Sequence, residues 1–443
     1  MRAFHTVAIL MAISFGCEAL ALPRPLDGRD TNKLAVVSIA ALEQQASRRV
    51  DVVSRLPLEA VGSDLFKGIE SLESPGANRV PNYLRALAAL PSTVKPFAHL
   101  IDTAIYSGAV SAETKIAMGL RIAQIHASPY VAAHMVRMLG ASERGKTLLA
   151  CMRSDDTHSL SPAERMALEY SDSLTRDVNG VSDGDFQRLR AYFNDSQIVE
   201  LTMAVCFFNY FTRFCEAARL PVETWAIDGS PLKPRSLAGY EPPAARVALI
   251  SNDEVSAVIA MEAAAKESAR QASGLGLGVA NSQRAMMRCP KFALAWRAYG
   301  TAVREYASVS RELKLHISFA VSMANGCRYC TLHQVLGLRR LNVDPAKLMA
   351  MKKGDEALTA SELKVVEFAR KLTRDPASIT DGDFEKLRAE FTEQGAIEVL
   401  LQTCAFSFMN RFTDGLRLPS EDEAIRVYKE VYGSGWAPKE TSR

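Results

Sequence analysis

The 443-residue chain has no strong charge of either sign: 53 Lys and Arg stand against 50 Asp and Glu, a net charge of +3 mixed throughout. That leaves no electrostatic argument for a nucleic-acid partner or an anionic surface. Long apolar runs are also missing. The stretch from Val7 to Phe15 is too short to span a membrane, so no membrane span is expected. Cysteine is present eight times, or seven if Cys17 is cleaved away, and an odd number at irregular spacing excludes a disulfide framework. The glycine-rich GLGLGV at 274–279 lacks the strand-to-helix context of a phosphate loop and reads as an interhelical loop. No residue argues for a bound cofactor, and no metal site is assigned.

At the N-terminus, Arg2 precedes the apolar run, and Ala19-Leu20-Ala21 offers a small-residue cleavage site. This pattern reads as a signal peptide over residues 1–21 and an exported (periplasmic or secreted) mature protein.

Self-comparison exposes an internal repeat. VPNYLRALAALP at 80–91 matches VANSQRAMMRCP at 279–290, an offset of 199, and SPYVAAHM at 128–135 lies against CRYCTLHQ at 327–334. At an offset of 198, LTRDVNGVSDGDFQRLRAYF (174–193) matches LTRDPASITDGDFEKLRAEF (372–391), and FTRFCEAARLPVE (211–223) matches MNRFTDGLRLPSE (409–421). We read two copies of one unit, at 51–225 and 247–425, with a helix-prone lead-in at 22–50, a Pro- and Gly-rich linker at 226–246 and a polar tail at 426–443. Helical periodicity runs through nearly every other segment, and alternating β-branched runs are scarce. The expected class is all-α, two tandem helical repeats. Ser361 is the expected N-cap of the ASELKVVEFARKLTR helix.

The chemistry concentrates in ELKLHISFAVSMANGCRYCTLHQVLGLRR, 312–340. Leu313, Ile317, Val321 and Ala324 form an apolar stripe, Asn325-Gly326 ends it, and a second helix is expected to start at Cys327. Cys327 and Cys330 then lie one turn apart at a helix N-terminus, where the dipole favours thiolate. His333 falls on the same face, within reach of Cys330. The pattern admits a redox dithiol, a structural disulfide, a metal site lacking a fourth ligand unless His316 supplies it, or two buried, inert thiols.

The repeat acts as an internal control. Ser128 stands where the second copy has Cys327, Val131 where it has Cys330, and Ala117 where it has His316. His134 and His333 match, as do Glu113 and Glu312. Glu312 and His316, spaced i, i+4, form either a proton relay to the thiols or a solvated helix-face pair. Arg411–Asp414 and Arg213–Glu216 read as structural ion pairs. Cys206, Cys215 and Cys404 read as core packing, and His99, His126 and His158 as ordinary histidines.

ANGCRYCTLHQ after an amphipathic helix resembles the carboxymuconolactone decarboxylase and alkylhydroperoxidase D-like superfamily, and the closing segments to 421 look like its last helices. The resemblance implies an all-α fold that usually forms a homo-oligomer. In the peroxidase branch the second cysteine attacks a peroxide substrate, the first resolves the sulfenic acid to a disulfide, and an external dithiol donor restores the pair. Mapped here, Cys330 is peroxidatic, Cys327 resolving and His333 the proton acceptor. The branch's relay glutamate would fall at Leu315, so Glu312, one turn earlier, is the residue to take that part, with His316 beside it. The expected function is a thiol-dependent peroxidase active in the second copy. The alternatives are a decarboxylase-like proton-transfer enzyme, or a non-catalytic helical assembly protein.

Overall fold

The computed structural model describes residues 35–67, 69, 79–154, 158–228, 280–353 and 356–433. The expected signal peptide, the glycine-rich loop and most of the linker lie outside them. Among the described residues the regular structure is helical, with no strand.

The helices start where side-chain caps satisfy the first free amides. Ser161 and Thr359 each close a capping box, with Glu164 and Glu362 three residues on. Thr359 caps its helix two residues before the expected Ser361, because only from there does Glu362 fall at the position that can bond back.

Two series of helices run in the same order. Pro91–Tyr106, Ala112–Ile125, Pro129–Leu139, Pro162–Arg176, Asp183–Arg190 and Asp195–Ala217 are followed by Pro290–Arg304, Arg311–Asn325, Arg328–Arg340, Ala360–Arg374, Asp381–Glu390 and Glu393–Gly415. Asp195–Ala217 packs along Glu393–Gly415, and Pro91–Tyr106 along Pro290–Arg304. Phe97, Phe207, Tyr210, Phe211, Tyr299, Phe408 and Phe412 fill the seam, each contributing on the order of 2–3 kcal/mol by burial. Trp296 stacks on Phe408 with ring centroids 4.0 Å apart. Asp195–Ala217 is long and apolar enough to cross a membrane, but its apolar window is entirely buried in this core.

The contacts across the seam are reciprocal. Arg213 donates to the carbonyl of Thr373 (3.4 Å), and Arg411 donates to the carbonyl of Thr175 (3.0 Å). Neither arginine makes the ion pair with its i+3 carboxylate that the spacing suggested. Each is drawn across the seam, where a carbonyl of the other half accepts from it.

The two halves differ in what covers the Pro129–Leu139 and Arg328–Arg340 helices. Ile39–Arg48 packs on the first, and Asp422–Tyr432 on the second. The segment expected as a polar tail thus begins inside a helix. Ala424, Val427, Tyr428 and Val431 recur at helical spacing and are buried against Leu332, Val335 and Leu336.

Candidate active site

The thiol helix is positioned by the turn before it. Gly326 closes Arg311–Asn325 in the left-handed conformation (φ 68°), and the Cys327 amide donates back to the Ser322 carbonyl at 2.9 Å. That is a glycine C-cap of the Schellman kind. It delivers Cys327 as N-cap of Arg328–Arg340, with its sulfur accepting from the Cys330 amide at 3.4 Å. Both cysteines are free thiols and both are buried. Each sulfur lies 3.4 Å from the Thr413 hydroxyl, so the two meet at one point.

Asp414, the next residue, carries the charge that spacing alone had assigned to an ion pair. Its Oδ1 accepts from the Cys327 thiol at 3.3 Å, and its buried Oδ2 has no hydrogen-bond partner among the described residues. Burial pushes its carboxyl up to about 7, against the opposing pull of Cys327, Arg328 and the Arg328 amide. Burial likewise pushes the Cys327 thiol well up, reinforced by Cys330 and by the Asp414 charge. At rest Cys327 is therefore a protonated thiol facing a carboxyl that titrates near neutrality.

His333 is not turned toward the sulfurs. Its Nδ1 meets the Tyr329 carbonyl at 2.7 Å, its Nε2 meets Glu421 Oε2 at 2.6 Å, and its ring stacks on Tyr329. Among the described residues no hydrogen bond joins it to either thiol. Glu421 also accepts from the Asn281 amide (2.5 Å) and the Tyr329 hydroxyl (2.9 Å). Burial alone would raise its carboxyl, but these donors outweigh it and hold it down at about 2. The same frame recurs in the first half, where His134 Nε2 and the Tyr130 hydroxyl meet Glu223 at 2.9 and 2.8 Å. A frame kept beside Ser128 and Val131 does not need a thiol; its evident work is to tie each Tyr–His helix to the chain that follows the long core helix.

Glu312 and His316 do come together, but with other partners. His316 Nδ1 lies 3.1 Å from Glu362 and its Nε2 3.8 Å from Glu312, while Lys347 Nζ lies 2.6 and 3.4 Å from the same two carboxylates. Leu315, at the expected relay position, packs against Gly337. That is seven residues past Cys330, about 10 Å along the helix at the usual rise. Among the described residues no contact links this cluster to the sulfurs.

Spacing therefore found the dithiol and missed Asp414, Thr413 and Glu421. The self-comparison of the sequence held one usable signal. Asp414 and Glu421 align with Glu216 and Glu223, two carboxylates at matched places in a buried, apolar stretch.

Residues 290–370 match the model of the carboxymuconolactone decarboxylase family. The match takes in Cys327, Cys330, His333, Glu312, His316 and Glu362, and stops short of Asp414 and Glu421. No curated protein matches the chain.

Proposed function

We propose that this chain, whose residues 290–370 match the carboxymuconolactone decarboxylase family model, is a thiol-dependent peroxidase working through Cys327 and Cys330. The observation that carries the reading is the pair itself: two free thiols one helical turn apart, both on the Thr413 hydroxyl, at a helix N-terminus. Cys330 attacks the hydroperoxide. Its S–O bond forms as the O–O bond breaks, and the alkoxide leaves as alcohol with the thiol proton. Cys327 then attacks the sulfenic sulfur, the S–S bond forms and water leaves. Asp414, 3.3 Å away, takes the Cys327 proton in that second step and passes it to the departing hydroxide, which leaves as water. A reduced dithiol donor supplies two electrons to reopen the disulfide. Met409 and Leu418 pack over the pair, so the substrate enters by motion of these half-buried side chains.

The proposal takes the chain as two copies of one unit, only the second of them thiol-active, exported and assembled as a homo-oligomer. Its test is consumption of cumene hydroperoxide with dithiothreitol as donor. Wild-type protein is expected to turn over and Cys330→Ser to remain at background. Equal rates in both would remove the peroxidase reading. An activity that survives loss of both sulfurs but not His333→Ala would install proton-transfer chemistry in its place.

A further inference from the structure

We propose that Glu312, His316 and Glu362 form a binding site for a divalent transition-metal ion such as Zn²⁺, which displaces the Lys347 ammonium. The proposal is independent of the thiol chemistry. One ligand atom from each of the three residues lies within 4.8 Å of the others. Tetrahedral bonds of about 2.1 Å put ligand atoms about 3.4 Å apart, so side-chain rotation of about an ångström closes the set.

His316 supplies the independent observation. Its side chain is fully buried, and neither ring nitrogen makes a hydrogen bond of acceptable geometry among the described residues, although each faces a carboxylate. Buried polar groups are rarely left so, because the unsatisfied atoms lose their hydration without replacement. Lys347 shows that the place attracts a cation: its Nζ sits on Glu362 Oε1 and Glu312 Oε1 together. Being a quarter exposed on a four-carbon stem, it is free to swing to solvent. Two carboxylates and a neutral imidazole then match a divalent ion in charge. They also leave a fourth position open, the pattern of a reactive rather than a purely structural zinc site.

The first half shows that the scaffold does not force this convergence. Glu113 and Glu164 hold the places of Glu312 and Glu362, with Ala117 in the place of His316. There the carboxylates are satisfied separately, Glu113 by the Ser142 hydroxyl and Glu164 by Arg144. The imidazole and the converging cation occur together only in the half that carries the thiols.

The test uses full-length Cys327→Ser/Cys330→Ser protein, so that the dithiol cannot hold metal, titrated with Zn²⁺ by calorimetry and with Co²⁺ by visible absorption. One ion per chain is expected. His316→Ala, which installs the residue found at position 117, is expected to weaken binding by roughly tenfold or more. Lys347→Met is expected to tighten it, and Glu164→Gln to leave it unchanged. No binding in either the double-serine protein or its Lys347→Met derivative overturns the site, as does an affinity that His316→Ala leaves unmoved. An affinity that Lys347→Met fails to raise overturns the displacement.

Discussion

The two halves place the same carboxylate beside different chemistry. In the first, Glu216 accepts from the Ser128 hydroxyl and forms an ion pair with Arg49, both at 2.5 Å. In the second, Asp414 holds the matching place beside Cys327, where burial outweighs the pull of Arg328 and raises the carboxyl. The cause is the covering helix. Arg49, the C-cap that follows Ile39–Arg48, reaches Glu216, whereas Asp422–Tyr432 covers the second half with an apolar face. A buried carboxylate with a guanidinium partner is a fixed structural charge. Where burial outweighs the nearby cation, as at Asp414, the proton stays within reach of neutral pH. Exchanging one helix thus separates a carboxylate paired with Arg49 from one that faces a thiol.

That contrast can be broken most severely at the sulfurs. Cys330→Ser is expected to abolish hydroperoxide turnover. Grafting the pair into the first half with Ser128→Cys/Val131→Cys is expected to leave the Cys330→Ser protein at background, because Glu216 stays locked to Arg49. Turnover from the graft would show that thiols alone separate the halves.

Arg49→Met comes next. It strands Glu216 as an uncompensated buried charge and is expected to cost about 3–5 kcal/mol of stability in urea denaturation. A loss below about 1 kcal/mol would mean that the pair is not what holds that carboxylate.

Asp414→Asn is expected to slow disulfide closure, measured by rapid-mixing and acid quench, by roughly 100-fold. In wild type the closure rate rises with pH through about 7, as Asp414 loses its proton, and the variant lacks that step. Stability follows the opposite course. The folded carboxyl titrates above its unfolded value, so the protein binds more protons folded than unfolded between about 4 and 7, and stability falls as pH rises through that window. Asp414→Asn flattens the fall; an unchanged slope would place the titration elsewhere.

The smallest test concerns the turn. Gly326 is left-handed at φ 68°, and Ala127, in the matching place, is forced to φ 50°. Gly326→Ala is expected to destabilise by about 1 kcal/mol and Ala127→Gly to stabilise by somewhat less, read as midpoints in urea.

What could be read from the chain follows the range of the interactions. The all-α class, the Asn325-Gly326 stop, the helix start at Cys327 and the core cysteines 206, 215 and 404 all lie in patterns a few residues long, and the structure holds them. Asp414 stands 87 residues from Cys327, and Glu421 stands 88 from His333, so spacing could not pair either. His333 shows the limit from the other side. One turn from Cys330 is close enough to touch, yet a charged partner with a better-placed acceptor turned the ring away. Arg411 and Arg213 were assigned to i+3 carboxylates for the same reason, since local spacing cannot register a carbonyl offered from across the seam.

The central claim, that peroxide chemistry belongs to one dithiol in one half, is tested most directly by mapping alkylatable thiols by mass spectrometry before and after a small excess of cumene hydroperoxide. The account predicts rapid loss of two thiols, Cys327 and Cys330, joined in one disulfide, with Cys151, Cys206, Cys215, Cys289 and Cys404 still free. A pair that stays reduced through the exposure, or oxidation that falls on the other cysteines, would contradict it.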